Sequence, residues 1–97
     1  MAFYVYILQS FKDQSYYKGS TENPVLRLKR HNKGDSKYTR NKIPWEIVYL
    51  ERVELKREAL IREKSLKKYS HDQLKQLIVS SKNYLNEFIN HAKTPKI

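Results

Sequence analysis

The chain opens on an unbroken aromatic and aliphatic run, Phe3-Tyr4-Val5-Tyr6-Ile7-Leu8. Such residues suit a pleat covered on both faces, so the run predicts a buried strand. The largely polar stretch from Gln9 to Gln14 turns the chain. Ser15-Tyr16-Tyr17-Lys18 predicts a second, short strand ended by Gly19, paired with the first as an antiparallel hairpin. Asn23 before Pro24 has the form of an N-cap followed by proline at the first helical position. The helix predicted there covers Val25 to Asn32 and stops near Gly34. A loop from Asp35 to Pro44 carries Lys37, Arg40 and Lys42, and Trp45-Glu46-Ile47-Val48-Tyr49-Leu50 predicts a third strand. From Glu54 to Tyr69 a long helical pattern runs without Gly or Pro. Ser70 is placed to cap a helix starting at His71, with Leu74, Leu77 and Ile78 at helical spacing. A last helix is predicted over Lys82 to His91, its apolar stripe at Leu85, Phe88 and Ile89, with Thr94 to Ile97 as a frayed tail. The order ββαβαα predicts the α/β (α+β) class, with a small three-stranded antiparallel sheet flanked by helices.

At 97 residues the chain is sized for one domain, and 39% apolar residues suit a packed core rather than disorder. There is no Cys, which excludes disulfides and a thiolate zinc site and fits a reducing cytoplasm. The N-terminal run has no basic segment before it and no long apolar stretch, so neither a signal peptide nor a membrane span is expected. Charge changes the picture more. Lys plus Arg number 20 against 10 for Asp plus Glu, giving a net charge of +10, and twelve aromatic residues (eight Tyr, three Phe, one Trp) are spread among them. So basic a small domain attracts polyanions, nucleic acid first among them. Charge alone also leaves room for a merely soluble basic surface, ribosome association or an anionic membrane.

Several residues stand at spacings that can carry chemistry. Arg27 and His31 are i, i+4 on one helix face and can address one phosphate, which the planar guanidinium can grip with two bonds. Taken alone, the same pair is more often a solvated basic face. Tyr6 and Tyr17 sit on neighbouring strands and can meet on one sheet face, although buried sheet tyrosines are more often core residues with satisfied hydroxyls. On the long helix, Leu55, Ala59, Leu60 and Leu66 define an apolar arc, and Glu63 falls inside it. A carboxylate there is costly unless it is paired or binds a metal. An i, i+4 ion pair with Lys67, both side chains reaching outward, answers the same need. Other chemistries lack their residues: no Cys/His cluster has zinc spacing, two glycines cannot build a phosphate loop, and no Gly-x-Ser-x-Gly elbow occurs.

The order and spacing of Tyr4-Val5-Tyr6, Tyr17-Lys18-Gly19, Arg27-Leu28 through His31-Asn32, and Arg62-Glu63-Lys64 to Lys67 resemble the GIY-YIG nuclease family. The pairs Tyr38-Thr39 and Pro44-Trp45 are similar to those of short bacterial members, and the likeness covers roughly residues 3 to 69. The first tripeptide lacks the family's glycine, Lys18 stands where an aliphatic residue is usual, and Ser20 stands where excision-repair relatives would have Lys. The resemblance implies a nuclease domain over residues 1–69, with 70–97 as a helical extension packed on it. It implies an endonuclease that hydrolyses phosphodiester bonds of duplex or branched DNA, in repair or recombination, with one Mg²⁺ or Mn²⁺ held by Glu63. Tyr17 would activate the attacking water, Arg27 would neutralise phosphoryl charge, and Tyr6 and His31 would orient water or phosphate. Lys37, Arg40 and Lys42 would track the DNA backbone. Sequence preference would be weak, or supplied by a partner protein. The rival reading is a non-catalytic nucleic-acid-binding module that keeps the fold, and a third is a basic scaffold.

Overall fold

In the computed structural model, which describes residues 2–93, the first strand is sandwiched on every side. Strand β1 (Phe3–Ser10) runs between β2 (Tyr16–Thr21) and β3 (Trp45–Val53), antiparallel to both, in the order β2-β1-β3. Side chains alternate across a strand, so an unbroken apolar run needs cover on both faces. Val5 and Ile7 enter one core with Tyr49, Ala59, Leu66, Leu74 and Leu77. Tyr6 and Leu8 enter the other with Trp45 and Leu50. Helices α2 (Lys56–Leu66) and α3 (His71–Ile78) cover the first face. On the second face lie α1 (Pro24–Asn32), through Leu28, and α4 (Leu85–Lys93), through Leu85 and Phe88. The order is therefore ββαβααα: one helix more than ββαβαα, in the same α+β class.

The capping chemistry holds where it was expected. The Asn23 side chain accepts from the Leu26 N–H at 3.1 Å, and Ser70 and Gln73 bond each other's backbone N–H reciprocally. The strands are longer than local pattern predicts, because pairing extends them. β2 continues through Gly19 to Thr21 because Gly19 lies directly opposite Tyr6 and Ser20 opposite Val5. Where Ile7 pairs with Tyr49 but Leu8 with Ile47, Val48 is left over as a bulge, and both Val48 and Tyr49 turn to the α2 side. Part of the expected basic loop winds into a short 3-10 turn, Arg40–Lys42. The long helix is trimmed to Lys56–Leu66, and the last one starts at Leu85, after Asn83 has tied Leu50, Val48 and Ile78 together by hydrogen bonds. The tail from Thr94 to Ile97 lies outside the described residues.

The apolar arc expected on α2 is corrected. Leu55 and Leu60 are each 50% exposed, while Ala59 and Leu66 are buried. Leu55 is the extended N-cap residue and stands outside α2, and Leu60 lies about 100° round the helix from Ala59, off the strip through Ala59, Arg62, Glu63 and Leu66 that meets the sheet. Arg62 has a structural use on that strip: its Nε donates to both carboxylate oxygens of Glu51 at 3.1 Å, and Nη1 donates to the Tyr69 hydroxyl at 3.3 Å. The guanidinium beside it leaves Glu51 free to accept from the Tyr49 hydroxyl at 2.6 Å. Ile89, expected on the last apolar stripe, is 37% exposed. Among the described residues no helix is long and apolar enough to cross a membrane.

Candidate active site

Edge strand β2 organises the site, with different groups above and below it. On the α1 face Tyr6 leans over Gly19, and a Cβ at Gly19 would collide with the Tyr6 hydroxyl and ring. Glycine there is a matter of space, since any side chain would occupy the volume of the phenol. Tyr17, opposite Leu8, comes up on the same face, its ring 6.4 Å from that of Tyr6 and 5.1 Å from the imidazole of His31. Its hydroxyl makes no hydrogen bond among the described residues, and the residue is only partly buried.

Helix α1 supplies the next layer. Arg27 donates from Nε to the Tyr6 hydroxyl at 3.4 Å. One turn on, His31 is 1% exposed, with Nε2 at 3.0 Å from the Tyr6 hydroxyl and Nδ1 at 2.8 Å from the Thr39 hydroxyl. Asn32, next in the helix, clamps the start of β3: the Trp45 N–H donates to its Oδ1 at 2.7 Å and its Nδ2 donates to the Trp45 carbonyl at 3.0 Å. The Trp45 indole N–H in turn donates to the Thr39 carbonyl at 2.9 Å. Asn32, Trp45 and Thr39 thus form a rigid frame around the imidazole.

From the other face, Glu63 of α2 reaches the edge. The hydroxyl of Ser20 donates to Glu63 Oε1 at 2.6 Å, and Lys67 lies 3.1 Å from Oε2. The metal-free alternative weighed for Glu63, an ion pair one turn along, is thus formed, together with a bond to the strand that places the carboxylate. Glu63 is near enough to bear electrostatically on both Tyr6 and Arg27. Lys18, opposite Ile7, is half-buried on this face, and burial with the nearby Lys67 pulls its pKa down.

The local electrostatics assign protonation states. Burial pushes the Tyr6 phenol up to about 12, outweighing the opposing hydrogen bond from Arg27, so it stays protonated. Its bond to Tyr6 raises the Arg27 guanidinium further, so that group stays cationic. Burial, then Arg27, pulls His31 down to about 4, so the imidazole is neutral near pH 7. A cavity of about 450 Å³ opens beside this cluster, lined by Arg27, Arg30, His31, Asp35 and Ser36. Arg27 thus faces both Tyr6 and open space.

The sequence matches the model of the GIY-YIG catalytic domain over residues 2–76. The chain belongs to the GIY-YIG nuclease family. Among its relatives, a UPF0213 protein of Clostridium perfringens is 49% identical over 85 residues, covering 87% of this chain and 89% of that protein. A UPF0213 protein of Staphylococcus haemolyticus is 41% identical over 77% of this chain and 92% of its own. The solution NMR structure of a UPF0213 protein from Bacillus halodurans aligns with a TM-score of 0.55 at 33% identity, over 97% of this chain and 100% of that one.

Within this GIY-YIG chain, four of the five residues singled out from the sequence, Tyr6, Tyr17, Arg27 and His31, share one face of β2, and Glu63 meets the strand from the other. Their surroundings differ from a simple open cleft: His31 sits in the cavity wall, 1% exposed and held by Tyr6 and Thr39. The basic loop divides. Lys37 stands 6.0 Å from the ring of Tyr38, and Arg40 is exposed, but Lys42 is drawn to Asp13 at 3.1 Å and donates to Ser15 at 3.2 Å. Ser20 and Thr39 had no role in the sequence reading. Their only sequence mark was position: Ser20 follows Gly19, and Thr39 belongs to the Tyr38-Thr39 pair.

Proposed function

We propose that this chain is a divalent-metal-dependent endonuclease that hydrolyses phosphodiester bonds in DNA at Tyr6, Tyr17, Arg27, His31 and Glu63. The observation that carries the reading is the grouping of a free-standing phenol, a cationic guanidinium and a carboxylate around one edge strand, in a family of nucleases. Hard oxygen donors suit the metal. Glu63 and the Ser20 hydroxyl lie 2.6 Å apart, and among the described residues no group of three His, Cys, Asp or Glu could enclose an ion. That donor set fits Mg²⁺ or Mn²⁺ held by one carboxylate, with water and substrate phosphate as the other ligands. The bound ion would polarise the phosphate and stabilise the leaving oxygen.

The chain's own residues do the rest. Arg27 takes a phosphoryl oxygen and balances the charge that grows there. Tyr17, whose hydroxyl has no hydrogen-bond partner among the described residues, accepts the proton of the attacking water while its own passes to solvent. As the new P–O bond forms, the bond to the leaving sugar oxygen breaks, and that oxygen collects a proton from water. Tyr6, protonated and buried, orients rather than deprotonates, and His31 holds Tyr6. Lys37 and Arg40 lie along the DNA backbone, as phosphate contacts do, positioning without reading sequence.

One feature favours the binding-module alternative: Glu63 is already engaged by Ser20 and Lys67. A plasmid assay separates the readings. Supercoiled DNA incubated with Mg²⁺ or Mn²⁺ should be nicked, and chelator should abolish it. A gel shift without nicking would establish the binding module instead, and no interaction at all would refute both. Affinity for duplex DNA should fall with salt, with a log–log slope of about −0.9 per phosphate neutralised.

A further inference from the structure

The site leaves one enclosed polar side chain without a role. Thr39 is 0% exposed, and its hydroxyl has His31 Nδ1, at 2.8 Å, as its single hydrogen-bond partner among the described residues. The backbone gives it no freedom to look elsewhere. Its carbonyl accepts from the Trp45 indole at 2.9 Å and from the Lys42 N–H at 3.1 Å, and its N–H donates to the Ser36 carbonyl at 3.2 Å.

A neutral imidazole carries one N–H, so two proton arrangements fit the chain Thr39–His31–Tyr6. In the first, His31 Nδ1–H donates to Thr39 and the Tyr6 hydroxyl donates to Nε2. Thr39 then keeps a proton with no acceptor, sealed in the interior, where an unmade bond costs most. In the second, Thr39 donates to Nδ1, and Nε2–H donates to the Tyr6 oxygen. That oxygen then accepts from both His31 and Arg27, and its own proton is left over. The left-over proton now lies beside Arg27, which is partly exposed and lines the open cavity; Tyr6 itself is 2% exposed, so a water or phosphate takes the proton by entering past Arg27.

We propose that Thr39 is a positioning residue that holds His31 as the Nε2–H tautomer, so that the Tyr6 hydroxyl turns outward as a donor to a phosphate oxygen or the attacking water. The structural half of this inference stands on the hydrogen-bond chain alone, and its chemical half rests on the nuclease reading above. The second tyrosine of the site is thereby given a fixed polarity. Tyr17 is free to accept a proton, and Tyr6 can only offer one.

Long-range ¹⁵N–¹H NMR at neutral pH reads the tautomer directly, with the His31 signals identified by their absence in His31→Gln. The expected result is a protonated Nε2 and an unprotonated Nδ1 in the unaltered protein; the reverse overturns the proposal whatever the protein cuts. Thr39→Val keeps the shape and removes the hydroxyl, while Thr39→Ser keeps the hydroxyl. Thr39→Val should lose the Nε2–H preference, with the plasmid-nicking kcat down roughly 10- to 100-fold, the scale of losing a partner that orients an imidazole, and KM little changed. Thr39→Ser should restore both readouts. Retention of the Nε2–H tautomer in a folded Thr39→Val protein would also overturn the proposal. If the unaltered protein nicks no DNA, the nuclease reading falls and the role given to Tyr6 with it, while the tautomer spectrum still judges Thr39.

Discussion

Replacing Glu63 by Gln separates the chemistry of its carboxylate from its packing. Gln is nearly the same size and keeps an oxygen that can accept from Ser20, whose hydroxyl now lies 2.6 Å from Glu63 Oε1. What disappears is charge. The ion pair to Lys67 goes, but that lysine is 57% exposed, and an i, i+4 pair of this kind contributes roughly 0.3–0.5 kcal/mol. The Ser20 bond becomes neutral and about half as strong, which costs roughly another 0.5 kcal/mol. The whole stability loss is therefore about 1 kcal/mol, seen as a melting temperature lower by roughly 4–8 °C for a chain of this size. Had Glu63 stood alone on a buried stripe, the same change would have left stability unchanged or raised it; the observed partners reverse the sign. Nicking should fall far more, by roughly 10² to 10⁴, because the proposed metal would lose its one anionic protein ligand. Duplex DNA binding should persist or tighten as negative charge leaves the site. Melting, gel shift and plasmid nicking on this one variant test all three. Wild-type nicking in Glu63→Gln would refute the metal assignment, and a collapse of melting temperature with lost binding would make the residue structural.

Gly19→Ala should be costly although alanine is small, because its Cβ collides with Tyr6. Roughly 1–3 kcal/mol of stability should be lost, nicking should drop with it, and a melting temperature equal to wild type would show that Tyr6 yields freely. The acid side tests His31. Burial lowers its pKa from 6.5 to about 4, so the unfolded chain takes up a proton between these values that the folded chain refuses. Stability present above pH 6.5 is lost as pH falls through that window, and His31→Gln should flatten the decline; an unchanged pH profile of melting would contradict the neutral, enclosed imidazole. On α2, Leu66→Ala should cost roughly 2–5 kcal/mol and Leu60→Ala less than about 0.5, since Leu66 is 0% and Leu60 50% exposed. Equal urea midpoints for the two would restore the arc that the structure corrects.

What the sequence determined by itself was whatever depends on neighbours along the chain. A doubly apolar β1, the Asn23-Pro24 entry to α1 and the Ser70 cap are all set by local backbone chemistry, which reads the same in any fold. The order and spacing of Tyr6, Tyr17, Arg27, His31 and Glu63 also carried the family, because a strand and a helix convert spacing into direction. Tertiary structure decided what lies opposite what. Gly19 looks like a strand terminator until β1 brings Tyr6 across from it. Leu60 looks buried on an ideal helix until only one strip of α2 meets the sheet, and Leu55 until the helix proves to start after it. Ser20 and Glu63 are 43 positions apart, Ser10 and Lys42 are 32, and Asn32 and Trp45 are 13, so no periodicity announces any of these bonds. Thr39 is the clearest case: one hydroxyl in a basic loop, indistinguishable from a solvated threonine until the Trp45 and Asn32 frame closes around it and leaves His31 as its one hydrogen-bond partner among the described residues.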